Sequence, residues 1–166
     1  LAAAGVHATG RAMTSLAHTA LMDLSLTVDF AAIRSVGETP AGLRRIVPVT
    51  GGHFTGARLS GTVLPGGADW VINRPDGVMV IDVRLMLETA DKALIYLTYQ
   101  GRFLAEPEIM QRFAKGTLLD PADYSLAIIA RFECGAPHHA WLNNAIVVGT
   151  GVQTRTGPIY SLFTVG

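Results

Sequence analysis

From Val80 to Glu88 the chain reads VIDVRLMLE, with an apolar residue at every second position. Successive side chains of a β-strand point to opposite faces. Ile81, Val83, Leu85 and Leu87 therefore share one face, and Asp82, Arg84, Met86 and Glu88 share the other. This period of two marks a strand, and it also poses the main question. Either face can be the hidden one, and the second carries three charges.

The same texture runs through the chain. Gly (18 residues) and Pro (8) divide it into short β-rich runs. Pro65-Gly66-Gly67, Pro75-Asp76-Gly77, Ala90-Asp91-Lys92, Gly135-Ala136-Pro137 and Thr156-Gly157-Pro158 read as turns, where Pro presets φ and Gly supplies positive φ. Eight or nine strands with short connections predict an all-β, mostly antiparallel sandwich or barrel. A barrel of about eight strands is the expected form. Only EPEIMQRFAKG reads as helical, with Glu106 and Glu108 suited to its start and Lys115 and Gly116 to its end. It would be a short insertion between two strands, a lid or rim element. Residues 19–166 are expected to form one domain. Residues 1–18, rich in Ala, read as an N-terminal arm or the remnant of a secretory signal. A cytoplasmic protein and an exported, periplasmic one both fit.

Composition narrows the function classes. Charged residues make up 16% of the 166 positions, against about 25% in typical soluble domains. So sparse a supply predicts surface hidden beyond a monomer core, hence a homo-oligomer. The formal net charge is zero, and no basic run offers a phosphate-binding surface, so nucleic acid is not an expected partner. No apolar run is long enough for a membrane-spanning helix. The single cysteine, Cys134, reads as a buried structural residue. No cofactor is expected: GTGVQTRTG lies between strand-type runs, with no helix after it to receive a phosphate. No metal is expected either. His138 and His139 would point to opposite faces of a strand, and His7, His18 and His53 are scattered.

What the sequence does offer is paired charge at strand spacing. Asp82 and Arg84 share a face; Arg131 and Glu133 in ARFEC repeat the pair in reverse order. Trp141 and Asn143 in AWLNN are spaced alike, and a hairpin corner at Gly135-Ala136-Pro137 would set them beside Arg131 and Glu133 on the following strand. Two readings follow. The charged face is wet, and its ion pairs contribute little. Alternatively it points into the barrel, where carboxylates and guanidinium groups neutralise one another around a ligand cavity.

The blocks PVTGGHFTGARLSGTVLPGGADW, RPDGVMVIDVRLMLETADKALIY and RFECGAPHHAWLNNAIVVGTG resemble successive blocks of the bacterial and fungal family known as domain of unknown function 3237. The resemblance runs from about Arg45 to Gly151. It implies a small antiparallel β-barrel, and Asp82, Arg84, Arg131 and Glu133 coincide with its pattern, which favours the inward-charge reading. The chain departs from that pattern at Leu85, Lys92 and Cys134, where the family often has Tyr, Gly and Thr.

The expected function is that of a cofactor-independent small-molecule enzyme of isomerase, cyclase, lyase or hydratase type. Asp82 or Glu133 would move a proton on a carbonyl or phenolic substrate. Arg84 or Arg131 would orient an anionic oxygen. Trp70, Tyr96, Trp141 and Asn143 would line the binding site, the aromatic rings walling a flat ligand. Asp69 reads as a turn residue. The alternative is a calycin-like protein that binds a small apolar ligand without turnover.

Overall fold

In the computed structural model, which describes residues 15–166, Met79, Ile81, Val83, Leu85 and Leu87 are all at most 6% exposed. The aliphatic face is the inner one. Burying five such side chains stabilises the fold by roughly 10 kcal/mol. The exposed pair Asp82–Arg84, 3.4 Å apart, is worth about 1 kcal/mol at most. Inverting the strand would forfeit the aliphatic burial and desolvate three ions. The inward-charge reading is therefore corrected: Asp82, Arg84, Arg131 and Glu133 lie on the outer wall.

The strands are β1 (His18–Val28), β2 (Arg34–Thr39), β3 (Gly42–Thr55), β4 (Ser60–Val63), β5 (Gly67–Asp69), β6 (Ile72–Asn73), β7 (Met79–Thr89), β8 (Leu94–Ala105), β9 (Tyr124–Cys134), β10 (Val147–Gln153) and β11 (Pro158–Val165). They form one antiparallel sheet in the order β1-β11-β10-β9-β8-β7-β4-β3-β2. β1 also pairs with β3, which closes the ring. The result is a closed barrel of eight strand positions. The short β4, β5 and β6 share the position between β3 and β7, and β2 extends β3 as a hairpin arm. Most of the expected N-terminal arm lies outside the described residues.

β3 runs straight through Gly51-Gly52, because that pair is a crossing point and not an end. Gly52 has φ +143°, and a Cβ there would come within 2.1 Å of the Ser25 carbonyl oxygen on β1. Glycine is what lets the two strands approach and seal the barrel.

The helical insertion is present as α1 (Pro107–Ala114), between β8 and β9. Proline occupies its first turn, where no N–H is needed, and Gly116 at φ +81° follows its end. None of its residues is buried, but Phe113 stacks on Phe103 of β8 with ring centroids 4.8 Å apart. Among the described residues no helix is long and apolar enough to cross a membrane.

One expected strand is absent. Residues Pro137–Asn144, with Trp141 and Asn143, form a 3-10 segment joining β9 to β10. Proline in its first turn and Leu142, fully buried as its anchor, fit a helical turn better than a ladder.

Candidate active site

The bore is filled at one end and hollow at the other. Phe54, Leu85, Leu87, Ile95 and Leu97, each at most 2% exposed, pack the end nearer the β7–β8 turn. Towards the start of β7, Met79, Ile81 and Val83 instead border a cavity of about 460 Å³. That volume suits a small organic molecule. Phe113 and Met110 of α1 border it too, so the insertion covers the hollow end.

Most of the lining is aliphatic or aromatic; of its polar members Asp69, Arg45 and Asn73 lie together, while Thr117, Gln153, Thr154 and Arg155 border it elsewhere. Asp69 on β5 sits opposite Val47 of β3 and Val83 of β7. Its Oδ1 accepts the backbone N–H of Asp82 at 3.0 Å. That bond fills the break in the ladder between β5 and β6, where the Trp70 N–H in turn reaches the Asp82 carbonyl. Oδ2 accepts no hydrogen bond from the described residues and is left to the cavity. Burial pushes the Asp69 carboxyl up to about 7, against the partly opposing Asp82 N–H and the guanidinium groups of Arg44 and Arg45. An acid tuned near neutrality can both take and return a proton.

Arg45 and Asn73 stand beside it. In register, Asn73 of β6 faces Leu43 of β3 and Met79 of β7. Arg45 Nη2 donates to Asn73 Oδ1 at 2.5 Å. Its Nε–H is buried and has no partner among the described residues. Leaving such a donor unmet costs about 1–3 kcal/mol, which an oxygen in the cavity would offset. Tyr99 and Tyr160 close the floor, their rings edge to face at 5.2 Å. Burial raises both phenols above their ordinary range, and the nearby Asp69 charge adds to the shift. Both remain neutral donors at physiological pH.

Six of the eight residues named from the sequence fall into two groups outside the bore. Arg84 lies across the Trp70 ring, 4.9 Å from its centroid, next to Asp82. Tyr96, Glu133 and Asn143 line a shallow, open hollow on the outer wall with Met86 and Leu94. Tyr96 and Glu133 are register partners on β8 and β9. Asn143 braces the end of β9, accepting the Cys134 N–H at 2.7 Å and donating to its carbonyl at 3.0 Å. Arg131 is exposed, and Trp141 is half-buried beneath the Arg58 guanidinium, 3.6 Å from its ring. Cys134 is buried. Asp69 is no turn residue. The signal for it was present: Asp69, Val71 and Asn73 share the phase of the buried residues, as do Arg45, Val47 and Val49.

The fold and cavity define a closed antiparallel barrel with a ligand-sized, partly polar interior. The chain belongs to the family described as protein of unknown function DUF3237, whose model matches residues 18–165. A UPF0311 protein of Rhodopseudomonas palustris is 33% identical over 129 residues, covering 78% of this chain and 84% of that protein. A solved protein of unknown function from Rhodopseudomonas palustris superposes with a TM-score of 0.88 at 28% identity, covering 93% of this chain and all of that one. A β-barrel-like protein from Acinetobacter baumannii AYE gives 0.80 at 35% identity, over 93% and 98% of the two chains. A structure described as an enzyme from Penicillium herquei gives 0.71 over 95% and 99% of the two chains; at 20% identity it shares the fold alone.

Proposed function

We propose that the barrel is a cofactor-independent enzyme acting on a small, largely apolar carbonyl or phenolic compound, with Asp69 as its acid–base group. The observation that carries this reading is a carboxyl tuned to about 7 facing a mostly apolar cavity, next to the unpartnered Nε–H of Arg45. In the proposed reaction Oδ2 takes a proton from the carbon next to the carbonyl. The C–H electron pair becomes an enolate, and Arg45 donates to the developing oxyanion. In a β,γ-unsaturated carbonyl compound the pair spreads over a dienolate, and return of the proton to the γ-carbon, with the C=C shifting into conjugation, completes an isomerisation. The role assigned from the sequence to Asp82 and Glu133 thus passes to a residue inside the bore.

A second reading, binding without turnover, draws support from the apolar lining and from the structural bond that Asp69 already makes to Asp82. One experiment separates the two. Aryl and phenolic ketones are screened by thermal shift, and those that bind are incubated with protein in D2O and followed by proton NMR. Catalysed exchange at the carbon next to the carbonyl is expected, rising with pH through about 7 as Asp69 ionises. Asp69→Asn should still bind but lose exchange by about 10²–10⁴-fold. Undiminished exchange in Asp69→Asn overturns the assignment; tight binding with no exchange in the parent supports the binding reading.

We also propose that copies of the chain associate. The outer wall exposes Ile129 (62%) and Leu94 (52%), large apolar residues that association would cover.

A further inference from the structure

The barrel end opposite the cavity holds a cluster that the proposed chemistry does not use. The 3-10 segment brings consecutive histidines together, where a strand would have parted them. His138 Nε2 meets Asp91 Oδ2, and His139 Nε2 lies 3.3 Å from Asp91 Oδ1. The two imidazole centroids are 4.2 Å apart. One ligand atom from each of the three residues lies within 4.8 Å of the others. His139 is 8% exposed and its segment is pinned by the His139 N–H to Ala136 carbonyl bond at 3.0 Å. Lys92, on the same turn as Asp91, directs its ammonium to Glu88 at 2.8 Å. The carboxylate is thereby left to the imidazoles and the Thr89 hydroxyl.

We propose that Asp91, His138 and His139 form a site for a divalent transition-metal ion, with Zn²⁺ the best fit. Two imidazoles and one carboxylate suit zinc and disfavour magnesium or calcium, which prefer all-oxygen shells. Around a tetrahedral zinc ion neighbouring ligand atoms stand about 3.4 Å apart, from bond lengths near 2.1 Å. The His139–Asp91 separation already matches that spacing. His138 must swing outward by about an ångström, which its exposed position allows. Asp91 and His138 face solvent, so water completes the shell. The ion would tie the β7–β8 turn to the β9–β10 connection across the packed end of the barrel. Its place there makes the site independent of Asp69.

The test uses the untagged full chain, stripped with chelator and titrated with Zn²⁺ by calorimetry, then with Co²⁺ by absorption. One equivalent of Zn²⁺ and the visible bands of tetrahedral cobalt are expected. Asp91→Asn and His138→Ala, both at exposed positions, should each weaken binding by at least about tenfold, while His53→Ala leaves it unchanged. Circular dichroism confirms that the variants are folded. Absence of saturable Zn²⁺ binding, or equal affinity in either Asp91→Asn or His138→Ala, overturns the proposal. Loss of the site in His53→Ala does so as well.

Discussion

Asp69 combines two demands that usually exclude each other. Its Oδ1 completes a backbone ladder, so the residue is held rigidly, while its carboxyl borders a mostly apolar cavity. Its folded-state value near 7 lies above the ordinary 3.8, and the sign of the stability effect follows. The neutral form is favoured by the fold. The cost of ionising is absent below about pH 4, grows as pH rises to about 7 and is constant beyond. At one pKa unit per 1.36 kcal/mol, the full effect is on the order of 4 kcal/mol. Asn retains an oxygen for the Asp82 N–H without the charge. Asp69→Asn is therefore expected to be more stable than the parent at pH 8 and about equal to it at pH 4. Urea unfolding at the two pH values checks this; equal midpoints at pH 8 would refute the shift.

At the scale of elements, α1 is the part least secured by the fold. Its hold on the barrel runs through Ile109, Met110 and Phe113, which pack only partly buried against the core. Phe113→Ala should cost about 1 kcal/mol, the size of a lost aromatic stack, and well below the 3–5 kcal/mol of a fully buried phenylalanine. Hydrogen exchange should accelerate in α1 and stay slow in β7 and β8. Equal acceleration across the barrel would show that α1 is integral to the core. The boundaries of α1 were readable because Glu106 and Glu108 suit its start and Lys115 and Gly116 its end. The Pro137–Asn144 segment was not, because Trp141 and Asn143 imitate strand spacing while proline and Leu142 set a helical turn. β5 escaped notice for another reason: Gly67–Asp69 is a three-residue strand that opens on a glycine of the turn, and its phase emerges only when it is read on into Val71 and Asn73.

For the whole molecule, periodicity identifies two faces of each strand but is silent on which one is inner. That choice is a sum over every strand, and aliphatic burial dominates it. The barrel was therefore legible, whereas the site placed on its charged face was not. The one carboxylate in phase with the core was overlooked because only the closed ring converts its position into a cavity wall. The sparse charge has a counterpart on the outer wall, where Ile129 and Leu94 are exposed. Light scattering at micromolar concentration should give a multiple of 17.6 kDa, and Ile129→Lys should lower it. A parent mass of 17.6 kDa would refute association.

The seam between β1 and β11 has a consequence for biogenesis. His18 pairs with Val165, so the first and last strands of the ring are neighbours. On the ribosome, β1 has only β3 to lean on until residues 158–165 are translated. Without β11 the ring is open between β1 and β10, and the cavity beside Asp69 lacks one wall. The raised pKa of that carboxyl therefore depends on β11, whose Pro158 and Tyr160 complete the cavity wall.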